Sequence, residues 1–103
     1  MNKYGLHGKL IATAGNGEKL AEILLEASRL ISNAKGCRLY FISKDKEDEN
    51  AIWVTEVWDN KESHDDSLKA EGVRNLISQA MPIIRMPPQK GQELEVLGGH
   101  GIG

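Results

Sequence analysis

Residues 18–34 carry a single apolar stripe: Leu20, Ile23, Leu24, Ala27, Leu30, Ile31 and Ala34 recur at steps of three and four. Steps of that size bring side chains to one face of an α-helix and suit no strand. Such a helix has one greasy side, so the rest of the chain must supply a surface to cover it. Lys35 and Gly36 follow the stripe as C-terminal signals, and "GNGE" at 15–18 precedes it, with Asn16 placed to cap the first turn.

Strands supply that surface. Residues 4–14 alternate, with Leu6, Leu10 and Ala12 on one face and His7, Lys9, Ile11 and Thr13 on the other. "CRLYFIS" at 37–43 and "AIWVTEVW" at 51–58 have the β-branched and aromatic content of strands, and the charged stretch 44–50 joins them as a hairpin. Asp59 or Asn60 can cap a second helix running to about residue 70. Gly72 marks a break, and 73–84 continues helical with Val73, Leu76, Ile77 and Ala80 inward. Pro82 lies near its end, and "RMPPQKG" is a linker because prolines cannot continue a helix. "QELEVLG" at 92–98 is a last short strand, followed by a glycine-rich tail over 98–103.

The order β-α-β-β-α-β predicts an α+β, ferredoxin-like split βαβ fold: one antiparallel sheet with its helices on one face. At 103 residues the chain is one domain. The other sheet face is expected to carry Tyr40 and Ile42 together with one of two alternating sets, Trp53/Thr55/Val57 or Ile52/Val54/Glu56/Trp58. Both sets contain an indole, so either choice leaves a large apolar surface bare. A second copy of the chain is expected to cover it as a homodimer, and a cavity between two such sheets is a natural ligand site.

Composition narrows the partners. Thirteen basic and 15 acidic residues leave a formal charge of −2 with no basic cluster, which argues against nucleic acid. No apolar run approaches the ~18 residues of a membrane span, and residues 1–10 hold no signal-peptide core. Lone Cys37 cannot form an intramolecular disulfide, which fits a reducing, cytoplasmic setting. Three dispersed histidines and one cysteine give no metal-ligand spacing.

The chemical candidates gather in "WVTEVWDNKESHDDSL". His64, near Asp65 and Asp66 at the start of the second helix, can act as a base near neutral pH or be a solvated helix residue. Trp58 can stack on a flat aromatic ligand or simply fill the core. Glu56 shares a face with Trp58; buried, it must be paired or hold a raised pKa, and exposed, it is ordinary. Tyr40 can donate its hydroxyl to a substrate oxygen or fill space. Ser67, at i+3 from His64, is a candidate contact to substrate, but Ser67, His64 and Asp65 on one short helix make no nucleophile elbow. His100 sits in "GGHGIG", where glycines let backbone approach a pocket or partner closely, although an unordered terminus is the default. His7 and Arg85 read as structural and surface residues respectively.

The chain as a whole resembles the antibiotic biosynthesis monooxygenase superfamily of small dimeric α+β barrels, which includes quinol monooxygenases. The resemblance is carried by "YGLHGKL", "GCRLYFIS", "WVTEVWDNKESHDDSL", "VRNLI", "MPII" and the closing "GGHG". It implies a dimeric α+β barrel and oxygenation of a quinol-type substrate by O₂ with no metal or flavin cofactor. His64 matches the family's helix histidine, as base or proton relay, and Trp58 its strand-end aromatic. In many relatives that histidine lies farther past the strand. Haem-degrading members use an asparagine on the first strand, and residues 4–14 contain none.

The functional expectation is a cofactor-independent monooxygenase acting on a small aromatic substrate, in a pocket between helices and sheet of a dimer. His64 is its catalytic base, with Trp58, Tyr40, Glu56, Ser67 and His100 contacting substrate. Two alternatives need the same cavity: a non-catalytic dimer that binds an aromatic metabolite, and an acid–base isomerase without oxygen chemistry.

Overall fold

The computed structural model describes residues 2–102. Four strands and three helices follow one another as β1 (Lys3–Ile11), α1 (Gly17–Ile31), β2 (Cys37–Lys44), β3 (Ala51–Trp58), α2 (Lys61–Ser67), α3 (Glu71–Ala80), a short 3-10 turn (Met81–Ile83) and β4 (Gln92–Val96). The sheet is antiparallel throughout, in the order β2-β3-β1-β4. This is the predicted ferredoxin-like arrangement.

Helix α1 buries most of its stripe: Leu20, Ile23, Ala27 and Ile31 are buried, whereas Leu30 stays exposed at its edge. Their partners form two adjoining clusters. In the first, Leu20 and Ile23 pack with Ala12, Ile52, Ala80 and Ile84. In the second, Ala27 and Ile31 pack with Trp58 and Val73, edged by Tyr4, Cys37 and Tyr40. Trp58, Leu20 and Ile52 are fully enclosed. Removing three such side chains from water supplies roughly 1.5–3 kcal/mol each.

Several boundaries differ from the sequence reading. The helix expected over 18–34 ends at Ile31, and Gly36 adopts a left-handed φ of 86° in the following turn. Asn16 stands at the cap position of α1 without capping it; its side-chain amide donates to Thr13 Oγ1 at 2.7 Å instead. Asn60 does cap α2, accepting from the Ser63 amide at 2.8 Å. The break between the later helices falls before Glu71, and Gly72 lies inside the first turn of α3.

The faces of the sheet need a larger correction. Tyr40 and Ile42, expected on the bare face, lie on the helix side: the register places Tyr40 opposite Glu56 and Ile42 opposite Val54, and both pack on the core clusters. The cause is a one-residue irregularity between Cys37 and Leu39. A bulge of that kind reverses the facing of every later side chain in the strand. Arg38, the extra residue, turns outward to hold Asp59 through two hydrogen bonds of 2.6 and 3.2 Å. The bare face therefore carries Leu39, Phe41, Trp53, Thr55 and Val57, with His7 from β1 and Leu94 from β4. Of these, Phe41 and Leu94 remain 46% and 49% exposed.

Candidate functional site

Glu56, Trp58 and His64 meet at the second core cluster. Glu56 and Trp58 are two residues apart on β3 and so point the same way, toward the helices. The Trp58 indole donates to Glu56 Oε1 at 3.0 Å, and Glu56 itself is only 7% exposed. Helix α2 starts one residue after the Asn60 cap, which brings His64 round on its first turn to face back at β3. Its Nε2 lies 3.6 Å from the same Glu56 oxygen, and its ring meets Trp58 edge-on at a centroid distance of 5.8 Å. Its other nitrogen, Nδ1, is 2.9 Å from Asp65 Oδ1. An ionised carboxylate only accepts, so in neutral His64 the proton sits on Nδ1 and the Nε2 lone pair faces Glu56.

A carboxyl buried this way resists ionising. Burial holds the Glu56 pKa above the ordinary value of 4.5, opposed by the Trp58 hydrogen bond and by the positive charge His64 can carry. Tyr40, directly across the ladder from Glu56, is pushed well above the usual tyrosine range, first by its burial and then by that carboxylate.

Glu56 and Tyr40 also face a cavity of about 210 Å³ between the sheet and α1. Leu6 and Leu10 of β1, Val54 of β3 and Leu24 of α1 make its walls apolar, and Gln89 and Gly91 of the proline-rich linker close one side. The dielectric there is low, so a proton transfer to or from Glu56 is not levelled by bulk water. Among the described residues no group of three or more His, Cys, Asp or Glu is arranged to hold a metal ion.

The six residues singled out from sequence thus divide. Glu56 and Tyr40 line the cavity, and His64 stands behind Glu56. Trp58 is fully buried within the chain, so it presents no stacking surface to the cavity; its indole serves the Glu56 carboxyl. Ser67 is buried one turn beyond His64, where its hydroxyl donates to the His64 carbonyl at 2.6 Å. It opens onto a separate groove of about 420 Å³ against α1 and α3. His100 is exposed in the tail beyond β4. His7 stacks on Trp53 at 4.8 Å on the bare face, away from Glu56.

One neighbour escaped the sequence reading. Tyr4 pairs across β1 and β3 with Trp58, puts its ring 5.7 Å from His64, and donates its hydroxyl to Glu93 of β4 at 2.9 Å. Burial, and then Glu93, push its pKa up to about 12. Only the strand register reveals this, because Tyr4 and His64 lie at opposite ends of the β1–β3 connection.

The sequence profile of the antibiotic biosynthesis monooxygenase family matches residues 4–79. The chain belongs to that family. Within it, the "putative Antibiotic biosynthesis monooxygenase" of Chloroflexus aurantiacus J-10-fl is 42% identical, with 98% of this chain and 99% of that one aligned and a TM-score of 0.87. A Deinococcus radiodurans protein given the same description is 24% identical over 97% of this chain and 96% of its own, with a TM-score of 0.73. PA3566 of Pseudomonas aeruginosa shares the fold alone, with a TM-score of 0.84 at 16% identity, over 95% of this chain and 97% of that one. A comparison with functionally curated proteins finds no match. As in the sequence reading, no helix among the described residues of this family member is long and apolar enough to cross a membrane.

Proposed function

We propose that the chain is a monooxygenase that oxidises a small quinol-type aromatic with O₂, and that Glu56 and His64 move the proton. The observation that carries this reading is a buried carboxyl, Glu56, in the wall of a largely apolar cavity, with the His64 imidazole 3.6 Å behind it. Such pairs are costly to bury and concentrate where chemistry requires them.

In the proposed reaction a hydroquinone with a free ring C–H reacts with O₂ to give a hydroxyquinone and water. One oxygen atom enters the ring and the other leaves as water. The substrate supplies all four electrons: two as the diol becomes a dione, two as the C–H bond becomes C–OH. Ionised Glu56 takes the phenolic proton, which makes the ring electron-rich enough to reduce O₂. The Nε2 lone pair of His64 takes the proton onward, with Asp65 holding the imidazole in the receptive tautomer. Its raised pKa makes Glu56 a stronger base than a surface glutamate, and the Leu6, Leu10, Leu24 and Val54 walls keep water from the reduced-oxygen intermediate. Trp58 serves this scheme by positioning the carboxylate.

The same proposal places a second subunit across the bare face. Phe41 and Leu94 at 46% and 49% exposure, beside the half-buried Leu39 and Trp53, form an apolar surface that a copy of the chain would cover.

The test is His64→Ala, assayed by oxygen consumption on whichever hydroquinone the wild type turns over. The rate should fall about 10²-fold or more, the usual worth of a positioned acid–base group. Retention of the wild-type rate refutes the assignment. Turnover of the compound without oxygen uptake points to the isomerase alternative, and binding without turnover to the binding module.

A further inference from the structure

We infer that the segment 85–91, through Gln89 and a glycine contact beside it, decides which rings the cavity admits: single-ring or compact two-ring aromatics with an oxygen at each end. The inference rests on the reading of that cavity as the substrate site.

The segment is pinned at both ends. The Arg85 amide donates to the Ile11 carbonyl at 2.7 Å, and Gln92 pairs with His7 as β4 begins. Between those points the chain passes over the cavity-facing side of β1. There it meets Gly8, which lies between Leu6 and Leu10 in the row that lines the cavity. A Cβ at Gly8 would stand 3.0 Å from the Gly91 Cα, and one at Gly91 would stand 3.3 Å from Leu6 Cδ1. Backbone thus approaches backbone where neither residue has a side chain, and this close approach forms one side of the cavity.

The space that results is small. Drug-sized ligands occupy pockets of roughly 300–1,000 Å³, and a cavity of about 150 Å³ holds one benzene. At about 210 Å³, this one has the volume of a substituted single ring or a compact bicycle, less than three or four fused rings need. Its polarity is arranged at two places. Glu56 and Tyr40 are buried or half-buried along the sheet. Gln89 alone is exposed among the described residues that line it, which puts its amide at the mouth. The side chains of Leu6, Leu10, Leu24 and Val54 between them are apolar, and the ammonium of Lys9, which also borders the cavity, lies over Trp53 on the other face of the sheet. A ring with oxygens at opposite ends satisfies the carboxyl at one end and the amide at the other. A ring with a single oxygen engages only the inner end.

The experiment is anaerobic titration calorimetry with a one-ring hydroquinone, a naphthohydroquinone, a three-ring diol and the matching monophenols. It is run on wild type, Gln89→Leu and Gly8→Ala, with thermal melts to establish that each is folded. Gln89→Leu should weaken the diols about fivefold, the net worth of one hydrogen bond, and leave the monophenols unchanged. Gly8→Ala should cost the two-ring diol about tenfold while the one-ring diol changes little, as expected of overpacking. Because Gln89 is exposed, its variant folds even where Gly8→Ala does not. Equal losses for diols and monophenols in Gln89→Leu overturn the inference. So does a three-ring diol that binds wild type as tightly as a one-ring diol, and so does the absence of any diol binding to wild type. Oxygen turnover decides the monooxygenase reading separately: the binding pattern can hold with no turnover, and turnover can persist with the pattern broken.

Discussion

Replacing Glu56 with glutamine keeps the size of the side chain and an oxygen for the Trp58 indole, and removes only the titration. Burial raises the folded-state pKa of Glu56 above the 4.5 of an ordinary glutamate. Below that value the carboxyl is protonated in both folded and unfolded chains, and it contributes nothing to the difference between the proteins. As pH rises from there, the unfolded chain releases its proton first, so ionisation favours unfolding. Wild type then loses stability relative to Glu56→Gln until pH passes the folded-state pKa, beyond which the gap is constant. One proton limits the slope to about 1.4 kcal/mol per pH unit. Urea denaturation of both proteins, at one fixed concentration so that assembly does not bias the comparison, should show near-coincident stabilities at about pH 4 and a gap in favour of glutamine that opens as pH rises and levels once the folded-state carboxyl has ionised. The same variant should lose about 10²–10⁴-fold in oxygen consumption, since its amide cannot accept the phenolic proton. A gap that stays constant across the whole range would show that Glu56 titrates normally. Burial would then leave its carboxyl unperturbed, and Glu56 would be no stronger a base than a surface glutamate.

Other substitutions probe the scaffold. Leu20→Ala removes a fully enclosed side chain and should cost about 2–5 kcal/mol in urea melts; a loss under about 1 kcal/mol would mean the core relaxes around it. Gly36→Ala forces a left-handed residue to carry a Cβ that would sit 2.5 Å from Ser63 Oγ. It should cost at least about 1–2 kcal/mol and shift α2, with Ser63→Gly restoring part of the loss in the double variant. Phe41→Asp puts a charge in the exposed apolar face and should convert a sedimenting dimer to a monomer while leaving far-UV circular dichroism unchanged. A wild-type protein that already sediments as a lone 11.4 kDa particle at micromolar concentration ends the two-subunit proposal.

What the sequence alone determined is the periodic part. The stripe of α1, the strands flanking it, the turn at Gly36 and the cap at Asn60 were legible because each is written in neighbouring residues and needs only local geometry, whereas Asn16 and Gly72 carried the same signals without the cap and the break they suggest. The element order then left one common topology for the sheet, and Glu56, Trp58 and His64 stood out because they are close in the chain. Which face each strand presents was decided only in three dimensions. The irregularity after Cys37 depends on how β2 settles against β3, and it carries Tyr40 to the helix side and Phe41 to the bare side. Whether Trp58 meets a ligand or the Glu56 carboxyl depends on α1, α2 and α3 closing over it. Tyr4 joins His64, and Gln89 joins Glu56, through strand pairings and a linker crossing that bring distant segments together. Such contacts depend on backbone registers summed over the whole sheet, and no window of adjacent residues encodes them.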